Sequence, residues 1–252
     1  GDTLMEATFG EYKDFGGVKF PMRVRQSAGG FPVLDLAIKE VQPNAAVTAL
    51  AVPDAARNTA ERVTSEKVAD GVWFIGGGSH NSVAIEMADH LVLVETPLGD
   101  ARTLAVMEHV KGLAPSKPIR YAVNSHAHFD HSGGVRAAAA QGATIVTMAA
   151  NVPYFEQALA RPSALRPDRL AQANTKPRLQ AVSGDKGLLS DGTRTIELHK
   201  IAGGPHSDSM LMAYLPKEKL LIQADASRAK RDSVIDKLAA AWILQAALDS
   251  LR

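Results

Sequence analysis

Eight residues, Asn124-Ser-His-Ala-His-Phe-Asp-His131, constrain this chain more than any other stretch. Four of them, His126, His128, Asp130 and His131, carry groups that bind metal ions, and they sit where an apolar run stops and a glycine pair begins. The run before them, Ile119–Val123, follows a proline and is apolar and partly β-branched, which predicts a short buried strand. After them, Ser132, Gly133-Gly134 and an alanine run predict a helix with Ser132 as its cap. The ligand-bearing residues are therefore expected on a strand-to-helix loop at the carboxyl end of a strand, where open sheets commonly hold ligands.

Imidazole and carboxylate together suit zinc, with manganese or iron as alternatives. Four such groups in one loop need partners if they are buried, and a shared cation supplies them. His126 and His128 are placed to grip one ion as a pincer, while Asp130 and His131 point to a second. A polar loop that caps a helix accounts for one histidine better than for this cluster.

This His-x-His-x-Asp-His loop with its glycine pair resembles the signature of the metallo-β-lactamase superfamily. The resemblance implies a third histidine on the first metal, matched by His206 in Gly203-Gly-Pro-His206. It also implies a carboxylate that bridges two metals at a strand end, matched by Asp225 in Leu220-Leu-Ile-Gln-Ala-Asp225. The implied metal set is His126, His128 and His206, then Asp130, His131 and Asp225, with Asp130 also orienting the nucleophile. The family pattern calls for one more histidine beyond the bridging carboxylate, and here His206 is the last in the chain. The loop Gly76-Gly-Gly-Ser-His80-Asn81 corresponds to one that flanks the metal site in proteins this chain resembles. His80 and Asn81 are accordingly expected to contact substrate, or His80 to stand in for the missing ligand; alternatively the glycines make a mobile turn and His80 is solvated. His90, His109 and His199 lie away from any second ligand and are expected at the surface or in the core.

The remaining pattern predicts an α/β chain folded as an αββα sandwich, with an N-terminal β-rich appendage and a C-terminal helix. Residues 1–57 read as a β-rich segment and linker, with Gly16-Gly17 and Gly29-Gly30 as turns and Val33–Ile38 as a strand. This stretch resembles the last hairpins of a β domain that precedes some bacterial hydrolase domains of the superfamily, so the natural protein is expected to extend upstream. Residues 58–226 read as the hydrolase domain. Strands are expected at Val68–Ile75, Ser82–Met87, His90–Glu95, Ala143–Met148, Met210–Leu215 and Lys219–Ile222, with a hairpin from Leu188 to Ile201 through Asp191-Gly192. Helices are expected at 99–113, with Leu104, Val106, Met107, Val110 and Leu113 as the apolar side, and at Pro153–Leu159. Residues 227–252 read as a helical tail foreign to the family, vector-derived or frameshifted, because Asp236-Lys-Leu-Ala-Ala-Ala resembles a translated polylinker. Its broad apolar arc leads to the expectation of a homodimer built through that helix.

Composition narrows the partners. A formal net charge of +1 over 252 residues, without a basic cluster, argues against nucleic acid. No apolar run is long enough to span a bilayer, and the absence of cysteine excludes disulfides and thiolate ligands. The expected partner is a small-molecule ester, and the expected cofactor is zinc, as two ions with the second weaker. The expected chemistry is attack by a metal-bound hydroxide on activated esters, with phosphotriesters, phosphoesters or lactones favoured. A β-lactamase, a glyoxalase II-like thioesterase and a metal-binding protein without turnover remain as alternatives.

Overall fold

The computed structural model describes residues 4–46, 52–57, 59–161, 167–173, 175–201 and 206–225. The chain divides into two compact units, Gly1–Thr59 and Ala60–Arg252. In the first, β1 (Met5–Asp14), β2 (Lys19–Ala28) and β3 (Phe31–Ala37) form an antiparallel meander, followed by one helical turn, α1 (Asp54–Arg57). Both glycine pairs make the turns expected of them, with Gly16, Gly17, Gly29 and Gly30 all at positive φ. Across the meander, Arg23 Nε and Nη2 grip Asp35 at 2.6 and 2.5 Å.

The second unit carries β4 (Thr64–Ala69), β5 (Val72–Gly76), β6 (Ser82–Glu86), β7 (Leu91–Val94), α2 (Asp100–Leu113), β8 (Ile119–Val123), α3 (Phe129–Ser132), α4 (Val135–Ala140) and β9 (Thr144–Met148). It continues with α5 (Val152–Ala160), α6 (Arg169–Gln172), β10 (Arg178–Val182), β11 (Lys186–Ser190), β12 (Thr195–Ile201), β13 (Met210–Leu215) and β14 (Leu220–Ile222). The strands make a seven-stranded sheet in the order β10-β9-β8-β7-β6-β5-β4 and a four-stranded sheet in the order β11-β12-β13-β14. In the larger sheet β7 to β10 run parallel, joined by the helices, and β4 to β7 are antiparallel.

The central strands are apolar on both faces because both faces are covered. Leu91 and Leu93 pack with Val106, Met107 and Val110 of α2 and with Phe155 of α5. Their neighbours Val92 and Val94 point the other way, toward Ile196, Leu198, Leu211 and Leu215 of the smaller sheet. The layers are thus helices, larger sheet and smaller sheet, three of the four layers of an αββα sandwich; among the described residues no helix covers the outer face of the smaller sheet.

Several local expectations are corrected. The strand expected at Val68–Ile75 is a hairpin, because Asp70-Gly71 turns the chain with Gly71 at φ +65 and pairs β4 with β5. Ser132 closes α3 instead of capping a helix; its hydroxyl donates to Ala127 O at 3.0 Å. On α2 the buried side includes Arg102 and Thr103 alongside Val106, Met107 and Val110, whereas Leu104 and Leu113 are only partly covered. Strand β10, short and half polar, was not anticipated. Expectations for residues 203–205 and 227–252 fall outside the described residues. No described helix is long and apolar enough to cross a membrane.

Candidate metal centre

The loop after β8 is fixed by hydrogen bonds to its neighbours on every side. Asn124 N donates to Val146 O of β9 at 2.9 Å, Leu211 N of β13 donates to Ser125 O at 2.8 Å, and Leu98 N donates to Asp130 O at 3.2 Å. The buried Asn124 amide donates to His131 O at 3.3 Å and so closes the loop on itself. The glycine pair is needed for close approach: a Cβ on Gly133 would lie 1.8 Å from Leu98 O, and one on Gly134 would lie 1.8 Å from Thr103 Oγ1. Behind the third histidine, Ser209 Oγ donates to Asn151 Oδ1 at 2.6 Å and Asn151 Nδ2 returns a bond to Ser209 O at 3.0 Å.

These ties bring two sets of donor atoms together. In the first, His206 Nε2 lies 3.0 Å from both His128 Nδ1 and His126 Nε2, and 2.9 Å from Asp225 Oδ2. A ring nitrogen has one hydrogen or one lone pair and cannot serve three partners at such distances. The set is poorly satisfied by mutual hydrogen bonds, and its chemistry fits a cation that takes the lone pairs. In the second set, His131 Nε2 lies 2.8 Å from Asp225 Oδ1 and 3.5 Å from Asp130 Oδ2, and His80 Nε2 lies 3.1 Å from Asp130 Oδ2. Asp225 joins the two sets, one oxygen to each, from a left-handed backbone at φ 61.

The surroundings set the charge of two of the histidines, His126 and His131. Burial pushes His126 down to about 4, reinforced by the charges of His131, His128 and His206 against the pull of Asp225. It is therefore neutral near pH 7 and keeps a lone pair. Burial also works against a charge on His131, but the hydrogen bond and charge of Glu95, with Asp225 and Asp130, raise it to about 9. Glu95 Oε2 lies 2.5 Å from His131 Nδ1, and its Oε1 accepts from Ser125 N at 2.7 Å. The carboxylate thus orients the imidazole so that Nε2 faces Asp130 and Asp225.

The sequence model described as metallo-beta-lactamase superfamily matches residues 75–252, more than half of the chain. The chain belongs to the metallo-β-lactamase superfamily. Among solved structures it is similar to a metallo-β-lactamase from Pontibacter korlensis, at 21% identity and TM-score 0.49, covering 64% of this chain and 70% of that one. It is also similar to a metallo-β-lactamase from Hirschia baltica, at 25% identity and TM-score 0.46, covering 63% and 69%. The curated relatives are short matches to proteins named "Putative pre-16S rRNA nuclease". The one from Pelotomaculum thermopropionicum is 64% identical over 39 residues, 16% of this chain and 25% of that protein. The one from Jannaschia sp. is 36% identical over 77 residues, 28% of this chain and 48% of that protein. The chain spans about a quarter of the length of the first of these relatives.

In this superfamily member the structure brings together all six residues expected as metal ligands, His126, His128, Asp130, His131, His206 and Asp225. Asn81 and His80 line a cleft of about 400 Å³ together with Phe74, Val83, Leu211 and Ile222. His80 also reaches past that wall to Asp130 and joins it and His131 as a potential ligand group. His90, His109 and His199 take part in no such group among the described residues. Sequence reasoning missed Glu95, whose one signal was a carboxylate closing an apolar strand. It also missed Arg102, a buried guanidinium that donates to Arg62 O at 2.6 Å and Gly76 O at 2.9 Å. Arg102 lies under the triple-glycine loop, where a Cβ on Gly78 would sit 3.1 Å from its Cζ.

Proposed function

We propose that the chain is a zinc-dependent hydrolase with two metal positions that acts on small activated esters, with phosphotriesters, phosphoesters or lactones as the favoured classes. The observation that carries this reading is Asp225: Oδ2 faces His206 and His126, whereas Oδ1 faces His131. A single carboxylate placed between two ligand sets supports a pair of cations. His126, His128 and His206 would hold one, and Asp130 and His131 the other, with Asp225 between them. Bound there, zinc supplies Lewis acidity toward an ester oxygen and makes a nucleophile available from water at neutral pH.

The protein groups supply position and charge. His126 is kept neutral by burial, and Glu95 occupies Nδ1 of His131 so that Nε2 is the nitrogen presented. Burial alone would raise Asp130, but the charges of His131 and His80 outweigh it and hold the carboxyl below its ordinary value. Asp130 is therefore ionised at neutral pH and would accept a hydrogen bond from the attacking water and so orient it. The cleft is lined about equally by apolar side chains, among them Phe74, Val83 and Leu211, and by polar ones, among them Asn81, His131 and Asp225, which suits a compact ligand with both kinds of surface. Asn81 lines the same cleft and would contact a substrate held there.

The test is zinc content by elemental analysis and turnover of chromogenic phosphotriester, phosphodiester, lactone, thioester and β-lactam substrates, with wild type and His206→Ala side by side. The phosphodiester also covers the activity for which the curated relatives are named. We expect about two zinc ions per chain, chelator-sensitive turnover of at least one ester, and its loss in His206→Ala. Zinc-loaded protein that hydrolyses none of them would replace this reading with a metal-binding protein without turnover.

A further inference from the structure

We propose that His80 is a metal ligand: with Asp130, His131 and one oxygen of Asp225 it completes the second cation position. The inference rests on the two-metal reading above and adds to it a ligand from a different part of the chain. Asp130 Oδ2 and Asp225 Oδ1 both lie near His131 Nε2, and His80 Nε2 enters the same space from the loop between β5 and β6, 3.1 Å from Asp130 Oδ2. Its ring stands edge-on to His131, with centroids 5.4 Å apart and planes at 82°. Zinc takes four ligands of these types. Among the described residues, His80 is the histidine that joins Asp130 and His131 in one potential ligand group.

The loop that delivers His80 is shaped for the purpose. Ser79 Oγ lies 3.0 Å from His80 Nδ1, which leaves Nε2 as the nitrogen turned toward the carboxylates. Gly77 is at φ +100, and a Cβ there would lie 2.4 Å from Arg62 O, so the chain turns where only glycine fits. Arg102 holds the carbonyls of Gly76 and Arg62 from below. A solvated histidine on a mobile turn needs none of these contacts.

The experiment titrates zinc into the metal-free full chain against a chromophoric chelator, for wild type, His80→Ala and His80→Asn, with folding checked by circular dichroism. Asparagine still donates to Asp130 but is a weak zinc ligand, so a purely structural histidine would be replaced by it without effect. Wild type is expected to take two ions. Both variants are expected to keep one ion at wild-type affinity and to bind the other more than about a hundredfold more weakly, beyond the 10–100-fold typical of losing an outer partner. If His80→Ala does not fold, His80→Asn gives the answer. Two ions bound at wild-type affinity by a variant, or a wild type that takes only one, overturns the role of His80 and leaves a metal-dependent hydrolase standing. A wild type that takes no zinc removes both.

Discussion

Replacing Glu95 tests how firmly the site is held from behind its ligands. The carboxylate bonds His131 Nδ1 at 2.5 Å and Ser125 N at 2.7 Å, and the side chains of Glu95 and His131 are 7% and 6% exposed. At that depth water does not take over either role. Removing one member of a buried charged pair costs about 3–5 kcal/mol, and an unpaired buried N–H costs about 1–3 kcal/mol. The two losses share one carboxylate and overlap, so Glu95→Ala should lose about 4 kcal/mol. Urea unfolding in the presence of chelator measures this without any contribution from bound ions. Glu95→Gln separates charge from shape. Its amide oxygen still accepts from Ser125, but its N–H₂ faces His131 Nδ1 and favours the tautomer with the proton on Nε2, the nitrogen that faces Asp130 and Asp225. Zinc on that side should then bind about 10–100-fold more weakly, with a stability loss of only about 1 kcal/mol. A loss under about 1 kcal/mol for the alanine variant, together with unchanged zinc affinity for the glutamine variant, would refute the reasoning.

Gly134→Ala should cost about 3 kcal/mol or more, or yield no soluble protein, because its Cβ would overlap Thr103 Oγ1. Gly112→Ala on α2, where a Cβ meets nothing within 4 Å, should instead gain up to about 1 kcal/mol; thermal melts of the pair decide the point. Arg102→Met should lose about 2–4 kcal/mol in urea by leaving the carbonyls of Gly76 and Arg62 unpaired, and should speed proteolysis between β5 and β6. Excess zinc, at about 100 times its dissociation constant, should stabilise the chain by about 2.7 kcal/mol per site, reversed by chelator. A melting temperature indifferent to zinc would count against a metal centre.

What could be read from the sequence was what lies close together in it. His126, His128, Asp130 and His131 fall within six residues, and the apolar run before them and the glycines after them specify the strand and the helices that carry the loop. The near-continuous apolar runs of β7 to β9 marked strands covered on both faces, since a strand buried on each side has little room for polar residues. His206 and Asp225 were reachable only because the resemblance said where to look. Other parts of the site were decided by tertiary packing. Glu95 meets His131 across 36 residues, and His80 meets Asp130 across 50, with no spacing rule to connect them. Arg102 sits on a helix face where a cation is ordinarily solvated, and the triple-glycine loop laid over it, with the carbonyls of Gly76 and Arg62 turned toward it, makes its burial tolerable. Local sequence thus determined which groups are available to bind a cation. The packing of the loops around the strand ends decided which of them meet, because donor convergence depends on distances that only the folded chain sets.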